Sequence, residues 1–356
     1  MTWAAGSAAV CWGVSEAPSR YHRQTILPAF GPEAESKLAA SHVMIIGLGA
    51  LGCPAADLLC RAGVGTLSLV DRDLVELTNL QRQTLYGERD VGKPKAEAGA
   101  ARLREVNRSI RVHALVEDFS PANADALLAT HPRPGVVLDC TDNFQTRYLI
   151  NDACVKHGVP LVYGGAVGTR GVQLTIRPGE TACLRCLFPD APAPGSSPTC
   201  DTAGIFAPVS AIVGSTQAAE AVKVLVAPGM LSGTMLSFDL WSNQRSRMDL
   251  RGSRDPGCPC CEKKQFEYIS MVIEPTILCG RNAVQLPASS SRPIDLAAVA
   301  ARLGAVGRFT MQNDATLSGT LSDGTPLTLF RDGRAIVGNT TDVSVARSIY
   351  ARYVGL

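Results

Sequence analysis

The chain of 356 residues has no excess of charge: 34 Lys and Arg against 32 Asp and Glu leave a formal net charge of +2, without long runs of one sign. A basic surface that wraps nucleic acid is therefore not expected. Long apolar runs are missing too. No uninterrupted run approaches the roughly 18 residues of a membrane span, so no membrane partner is expected. Residues Met1 to Arg20 lack a basic segment ahead of an apolar one, which argues against secretion and makes 1–19 a flexible leader. Twelve cysteines are too few for a disulfide framework in a chain this long. Their spacing suits metal binding in a reducing compartment, which places the protein in the cytoplasm. At 46% hydrophobic and 19% charged residues the composition is globular, with length for one large domain and a smaller one.

Short apolar runs at 42–46, 66–70, 110–116, 136–140 and 159–163 read as strands, and helical spacing at 51–61, 93–106, 122–128 and 144–156 separates them. That alternation predicts a parallel sheet covered on both faces, a Rossmann-like doubly wound α/β fold. From Gly164 the rhythm changes, and glycine-rich turns around 172–176 predict antiparallel strands at the sheet edge. Residues 187–208 are rich in Pro, Ser, Gly and Ala and read as a mobile loop. Helix 209–226 and strands 235–240 and 245–250 complete this part, expected to span 20–265. A small α+β domain of unknown role is predicted over 266–356. It begins with a hairpin turning at Gly280-Arg281-Asn282 and a linker at 287–291. Helix 294–303 has one apolar face, strands turn at Asp323-Gly324 and Asp332-Gly333, and helix 343–353 ends the chain. No chemistry is visible in this domain, and Cys279 reads as buried.

Gly47-Leu48-Gly49-Ala50-Leu51-Gly52 follows a strand and opens a helix. Glycines there permit a tight turn and close backbone approach, while the helix N-terminus offers N–H groups to phosphate. Asp71 lies about 20 residues further on, where a carboxylate accepts from ribose hydroxyls. This pattern alone does not separate a dinucleotide from ATP. Arg82 and one or two lysines, in Asn79-Leu80-Gln81-Arg82-Gln83 and Gly92-Lys93-Pro94-Lys95, favour triphosphate, whose displacement cations stabilise. A solvated pair at a helix start is the plainer reading of the same lysines. Asp142, in Thr141-Asp142-Asn143 after the fourth strand, suits a role with Mg²⁺ or the attacking group, or a simple helix N-cap.

Cys183-x-x-Cys186 and Cys258-x-x-Cys261 are two pairs of the kind that close a tetrahedral thiolate zinc site. No ligand position would remain open, so the metal is expected to be structural. Cys260 offers a third sulfur beside the second pair. Cys53, Cys60 and Cys140 read as small core residues.

Six ordered motifs together resemble the ThiF/MoeB/HesA adenylyltransferases, bacterial relatives of the ubiquitin-activating enzymes. They are Arg20-Tyr21-His22-Arg23-Gln24, the glycine loop, Asp71-Arg72-Asp73, 79–83, 92–95 and Thr141-Asp142-Asn143. The resemblance implies that ATP adenylates the C-terminal glycine carboxylate of a small ubiquitin-like sulfur-carrier protein ending in Gly-Gly, releasing pyrophosphate. It implies phosphate at Gly47, Gly49, Ala50 and Gly52, ribose at Asp71 with Asp73 beside it, and triphosphate at Asn79, Arg82 and Lys95. Asp142 would sit by the α-phosphate and Mg²⁺. Arg23 would reach the partner subunit's ATP, which implies a homodimer. Ala50 stands where many members carry a glycine. The family pattern favours Cys258 and Cys261 over Cys260 as zinc ligands, and in some members the cysteine matching Cys200 links covalently to the carrier. Two other classes stay open on the residues alone: an NAD-dependent oxidoreductase, allowed by the glycine loop and Asp71, and an inactive binding relative. Without a separate catalytic domain, the first leaves Arg82 and Lys95 with no task.

Overall fold

The computed structural model describes residues 19–31, 33–192, 200–271, 275–278, 282–288 and 294–355. The predicted leader (apart from Ser19), Cys279 and most of the Gly280-Arg281-Asn282 turn lie outside the described residues.

Eight strands build the first sheet: β1 (His42–Ile46), β2 (Thr66–Val70), β3 (Arg111–Leu115), β4 (Val136–Asp139), β5 (Leu161–Val167), β6 (Arg170–Ile176), β7 (Thr234–Asp239) and β8 (Gln244–Asp249). Their order is β3-β2-β1-β4-β5-β6-β7-β8. The first five are parallel and the last three join antiparallel, as expected from the sequence.

The sheet is covered twice because its central strands are apolar on both faces. All five residues of β1 are buried. Val43 and Ile45 pack on one side with helices α1 (Gly52–Ala62), α2 (Lys95–Val106) and α4 (Ala207–Val226). Met44 and Ile46 pack on the other with α3 (Phe144–His157). Truncating one such side chain to alanine costs roughly 2–5 kcal/mol.

The glycines after Tyr163 do a different job from the turns expected of them. Gly164, Gly165 and Gly171 lie inside β5 and β6. A Cβ on Gly164 would sit 2.5 Å from Gln217 of α4, and one on Gly171 would sit 2.5 Å from Phe238 of β7. Their bare backbone lets α4 and β7 close on the sheet, and the turn itself falls at Gly168, with φ +60°. Among the described residues, α4 is the one helix long and apolar enough to cross a membrane. It packs on α1, β5 and β6, with 44% of its apolar window buried.

A second sheet, ordered β11-β12-β13-β14-β10-β9, is antiparallel throughout. It comprises β9 (Thr276–Leu278), β10 (Ala283–Leu286), β11 (Gly307–Asn313), β12 (Thr316–Leu321), β13 (Pro326–Phe330) and β14 (Ala335–Gly338). Helices α5 (Leu296–Leu303) and α6 (Val343–Tyr353) share its core, capped by Asp295 and Asp342. Two turns are the Asp-Gly turns the sequence predicts, with Gly324 at φ +86° and Gly333 at φ +90°. The hairpin of β11 and β12 turns instead at Asp314-Ala315, and none of the seven residues of β11 is buried. The short helix Glu267–Ser270 still packs on α3 of the first unit.

Candidate active site

In the first sheet the order runs outward in both directions from β1 and β4, which makes the crevice beyond their carboxyl ends a topological switch point. The glycine loop enters it from β1. Gly47 has φ +90°, and a Cβ there would lie 2.7 Å from the Cys140 carbonyl oxygen. A Cβ on Gly52 would lie 2.0 Å from the Gly47 carbonyl oxygen, so only hydrogen fits where α1 leaves the loop. Gly49 is different. A Cβ there would meet only the Gln83 amide nitrogen, at 3.8 Å. Two of the glycines are thus demanded by the fold, and the third leaves open a backbone that a ligand can approach. Ala50 follows it, half-buried.

Beyond β2, Asp71 turns inward. Its carboxylate accepts the Leu48 N–H at 2.6 Å and the Asp73 N–H at 2.8 Å, and so ties the glycine loop to the next turn. Burial pushes this carboxyl up to about 6 against the pull of Lys95. Asp73 turns outward, half-exposed, and accepts from Lys95 Nζ at 3.0 Å. Partial desolvation raises the Asp73 carboxyl, but Lys95 and Arg72 outweigh it and hold the group below the ordinary carboxylate value. Lys95 opens α2 with its side chain nearly enclosed. Desolvation works against its charge, but Asp73 and Asp71 raise its pKa to about 12, so it stays cationic. Tyr86 closes the floor, its hydroxyl within reach of the Leu48 and Lys95 carbonyls at 3.0 and 3.2 Å. Asn79 is buried and accepts the Glu76 N–H at 3.1 Å, and half-buried Arg82 donates to the Thr78 carbonyl at 2.9 Å.

At the end of β4, Asp139 is fully buried and accepts from the Thr141 N–H and hydroxyl at 3.0 and 2.7 Å. Desolvation pushes its carboxyl up, opposed by Arg147 and Thr141. Arg147 of α3 donates to the Thr141 carbonyl and the Tyr163 hydroxyl, each at 2.7 Å. Gln217 of α4 donates to the Asp139 and Val162 carbonyls at 2.7 and 3.1 Å. These supports leave Asp142 exposed at the rim. Asn143, not Asp142, caps α3, accepting the Thr146 N–H at 2.8 Å, so the N-cap role weighed for Asp142 belongs to its neighbour. Sequence reasoning missed Asp139, Arg147, Tyr163 and Gln217. The one available signal was an arginine directly before the apolar run Tyr148-Leu149-Ile150 in a helix.

Two buried oxygens, Gln83 Oε1 and Asp139 Oδ2, have no partner among the described residues. With the open face of Gly49, the Lys95 cation and the rim carboxylates, they fit a polyanionic nucleotide with its ribose and metal.

Arg23 lies elsewhere. Its helix, His22–Thr25, packs at the far end of α1, where Gln24 donates to the Ala62 carbonyl at 3.0 Å. Tyr21 accepts from Asn107 at 2.8 Å in the same place. Eleven residues of α1, about 16 Å, separate this arm from the glycine loop.

The four predicted metal cysteines converge, with all four sulfurs within 4.8 Å of one another. Separations of 3.6 Å (Cys183–Cys258), 3.9 Å (Cys183–Cys186) and 3.4 Å (Cys186–Cys261) approach the edge of about 3.8 Å expected of a tetrahedron with metal–sulfur bonds of about 2.3 Å. Cys260 stands outside the set and receives a 3.4 Å hydrogen bond from Asn151. Asn151 also accepts the Leu184 N–H at 2.9 Å, and buried Arg185 pairs with Glu267 at 2.7 Å. Cys53, Cys60 and Cys140 are buried, as expected. Cys200 begins the four-residue helix Cys200–Ala203, whereas 193–199 of the predicted mobile loop lie outside the described residues.

A parallel sheet with a glycine loop, a caged lysine and acidic rim groups at its switch point defines a nucleotide-binding α/β protein of the doubly wound class. Its fold is that of Escherichia coli MccB crystallised with MccA-N7isoASN, at a TM-score of 0.61 and 23% identity over 70% of this chain and 75% of that one. The chain belongs to the ThiF family, whose sequence model matches residues 21–260. It is 41% identical over 340 residues to the sulfur carrier protein ThiS adenylyltransferase of Bacillus subtilis, covering 94% of this chain and 99% of the relative. The sulfur carrier protein adenylyltransferase of Thermus thermophilus is 43% identical over 258 residues, 70% of this chain and 93% of that one. The adenylyltransferase and sulfurtransferase MOCS3 of Drosophila willistoni is 40% identical over 269 residues, 74% of this chain and 57% of that longer one.

Proposed function

We propose that this protein is an ATP-dependent adenylyltransferase acting on a small ubiquitin-like sulfur carrier that ends in Gly-Gly. The observation that carries the reading is the meeting of the open Gly49 face, the Asp73–Lys95 pair and Asp142 at one switch point. The carrier's terminal carboxylate oxygen attacks the α-phosphorus of ATP. The new O–P bond forms as the bond to the bridging oxygen breaks, and pyrophosphate leaves.

A carboxylate is a weak nucleophile repelled by phosphate oxygens, so the site supplies position and positive charge more than a base. The glycine loop and the first N–H groups of α1 hold phosphate. Asp71 fastens that loop, and the ribose falls to the outward carboxylate, Asp73. Lys95, Arg82 and Asn79 bind the triphosphate and stabilise the departing charge. Asp142 is the residue that would hold Mg²⁺, whose charge offsets phosphate repulsion. Arg147, Gln217 and Tyr163 keep the β4 end in place. The four thiolates would hold a structural Zn²⁺. The distance of the Arg23 arm from its own glycine loop favours service to a partner subunit, hence a homodimer. Cys200 is a candidate for covalent attachment of the activated carrier. Reduced cysteines suit a cytoplasmic enzyme of thiamine or molybdopterin biosynthesis. A ThiS-type carrier is the first to try, because the Bacillus relative matches across both units.

Pyrophosphate exchange into ATP, with Mg²⁺ and each candidate carrier, tests the reading. Exchange that requires a carrier and disappears in Asp142→Ala is the expected result. No exchange with any carrier, together with NADH binding, would overturn it in favour of an oxidoreductase.

A further inference from the structure

The family match ends at residue 260, and the Thermus relative is 93% covered by 70% of this chain. A stretch the size of the second unit is therefore additional to that protein, yet here it reaches the nucleotide site at two points. Arg334, at the start of the strand-forming segment after the Asp332-Gly333 turn, is 3% exposed. A guanidinium so enclosed is costly unless its donors are satisfied. Asp332 accepts from its Nε at 2.6 Å, and the Phe330 ring stacks 4.4 Å away. Its Nη2 donates across to the first unit, to the Arg72 carbonyl at 3.3 Å.

That carbonyl belongs to the peptide whose N–H, on Asp73, donates to Asp71. The peptide is planar, so a partner on each side fixes its orientation and the direction in which the Asp73 side chain leaves it. Arg334 is also one of the cations that keep the Asp73 carboxylate ionised, behind Lys95 and Arg72. The second point of approach is on α2. Glu97, in the first turn after Lys95, feels the charge of Asp314 from the β11–β12 turn. The second unit thus bonds to the segment that carries Asp73 and brings a charge near the helix that carries Lys95.

We infer that the second unit is part of the nucleotide site: Arg334 is a positioning residue that fixes the Arg72–Asp73 peptide so that Asp73 meets Lys95 and the ribose of a ribonucleoside triphosphate. The inference rests on the proposed ATP-dependent reading. It gives the added unit a task in substrate binding rather than in chemistry of its own.

The test uses the full-length chain with Arg334→Met, Arg334→Lys and Asp332→Asn. Affinity for a non-hydrolysable ATP analogue is measured by calorimetry, and KM and kcat by pyrophosphate exchange. Arg334→Met should weaken the analogue and raise the KM for ATP by about tenfold, with kcat at saturating ATP and the KM for the carrier within about twofold. Arg334→Lys, which keeps a donor and the charge, should recover most of the loss. In an Asp73→Asn background, Arg334→Met should add nothing further, whereas a merely structural role would give additive losses. Unchanged analogue affinity in folded Arg334→Met, or additivity with Asp73→Asn, overturns the inference. If Arg334→Met does not fold, Asp332→Asn decides, since it frees the guanidinium without removing it. A loss of about threefold supports the inference and no loss refutes it. Failure of the wild-type chain to exchange pyrophosphate would count against adenylation, while the analogue titrations would still report on Arg334.

Discussion

Alanine at Gly49 and at Gly52 should separate what the fold needs from what the nucleotide needs. At Gly52 the added Cβ would stand 2.0 Å from the Gly47 carbonyl oxygen. A relaxed carbon–oxygen contact is about 3.3 Å, so α1 or the loop must move by about 1.3 Å, an overpacking that costs roughly 1–3 kcal/mol. A shift of that size also displaces the phosphate-facing N–H groups, and a misplacement of about 1 Å costs on the order of a hundredfold in rate. At Gly49 the Cβ finds only the Gln83 amide, at 3.8 Å, and the backbone φ is not in the left-handed region. Gly49→Ala should therefore leave stability unchanged or raise it by up to about 1 kcal/mol through the unfolded chain. Its methyl group would nevertheless occupy the face open to phosphate and weaken ATP binding at least tenfold. Chemical denaturation and titration with a non-hydrolysable ATP analogue measure the two effects separately. A Gly49→Ala protein that binds the analogue as tightly as wild type would refute the placement of phosphate on this loop. One that loses several kcal/mol of stability would refute the packing argument.

Further outcomes follow from the cysteines and from Asp71. One metal ion per chain should be lost in Cys186→Ser and Cys258→Ser but retained in Cys260→Ser, as measured by metal analysis of the purified proteins; retention in Cys258→Ser would show that Cys260 serves as a ligand. Asp71 holds Leu48 and Asp73 through its ionised form, and its carboxyl titrates near 6. The KM for ATP should therefore rise as pH falls through about 6, and a flat profile from pH 5 to 7 would contradict this. The same group acts on stability in the opposite direction. A carboxyl raised above its ordinary 3.8 contributes a loss of stability that develops as pH rises from about 4 to 6 and is complete above that.

The parallel half of the fold was readable because each β-branched run is followed by helical spacing, and β1, β2 and α3 lie close to where the pattern puts them. The grouping of Cys183, Cys186, Cys258 and Cys261 was readable for a similar reason: short spacing makes each pair a local unit. What escaped depended on contacts far apart in sequence. Gln217 supports Asp139 across 78 residues, and Arg334 reaches Arg72 across 262, with no local periodicity to announce either. Asp71 and Asp73 were both visible as carboxylates, but which faces inward depends on the Leu48 N–H waiting 23 residues upstream.

The thiolate cluster joins Cys183 to Cys258, 75 residues apart, and so closes a ring of chain that contains α4, β7 and β8. Closing a ring of that length removes roughly 4 kcal/mol of conformational freedom from the unfolded chain on the loop-entropy account. A metal held by four thiolates can act in this way where reductants would cut a disulfide. The restraint bears on α4, and through Gln217 on the β4 strand end that presents Asp142. A metal bound by the four cysteines would thereby be linked to the strand end that presents Asp142 through chain topology, across a sheet rather than through any shared ligand.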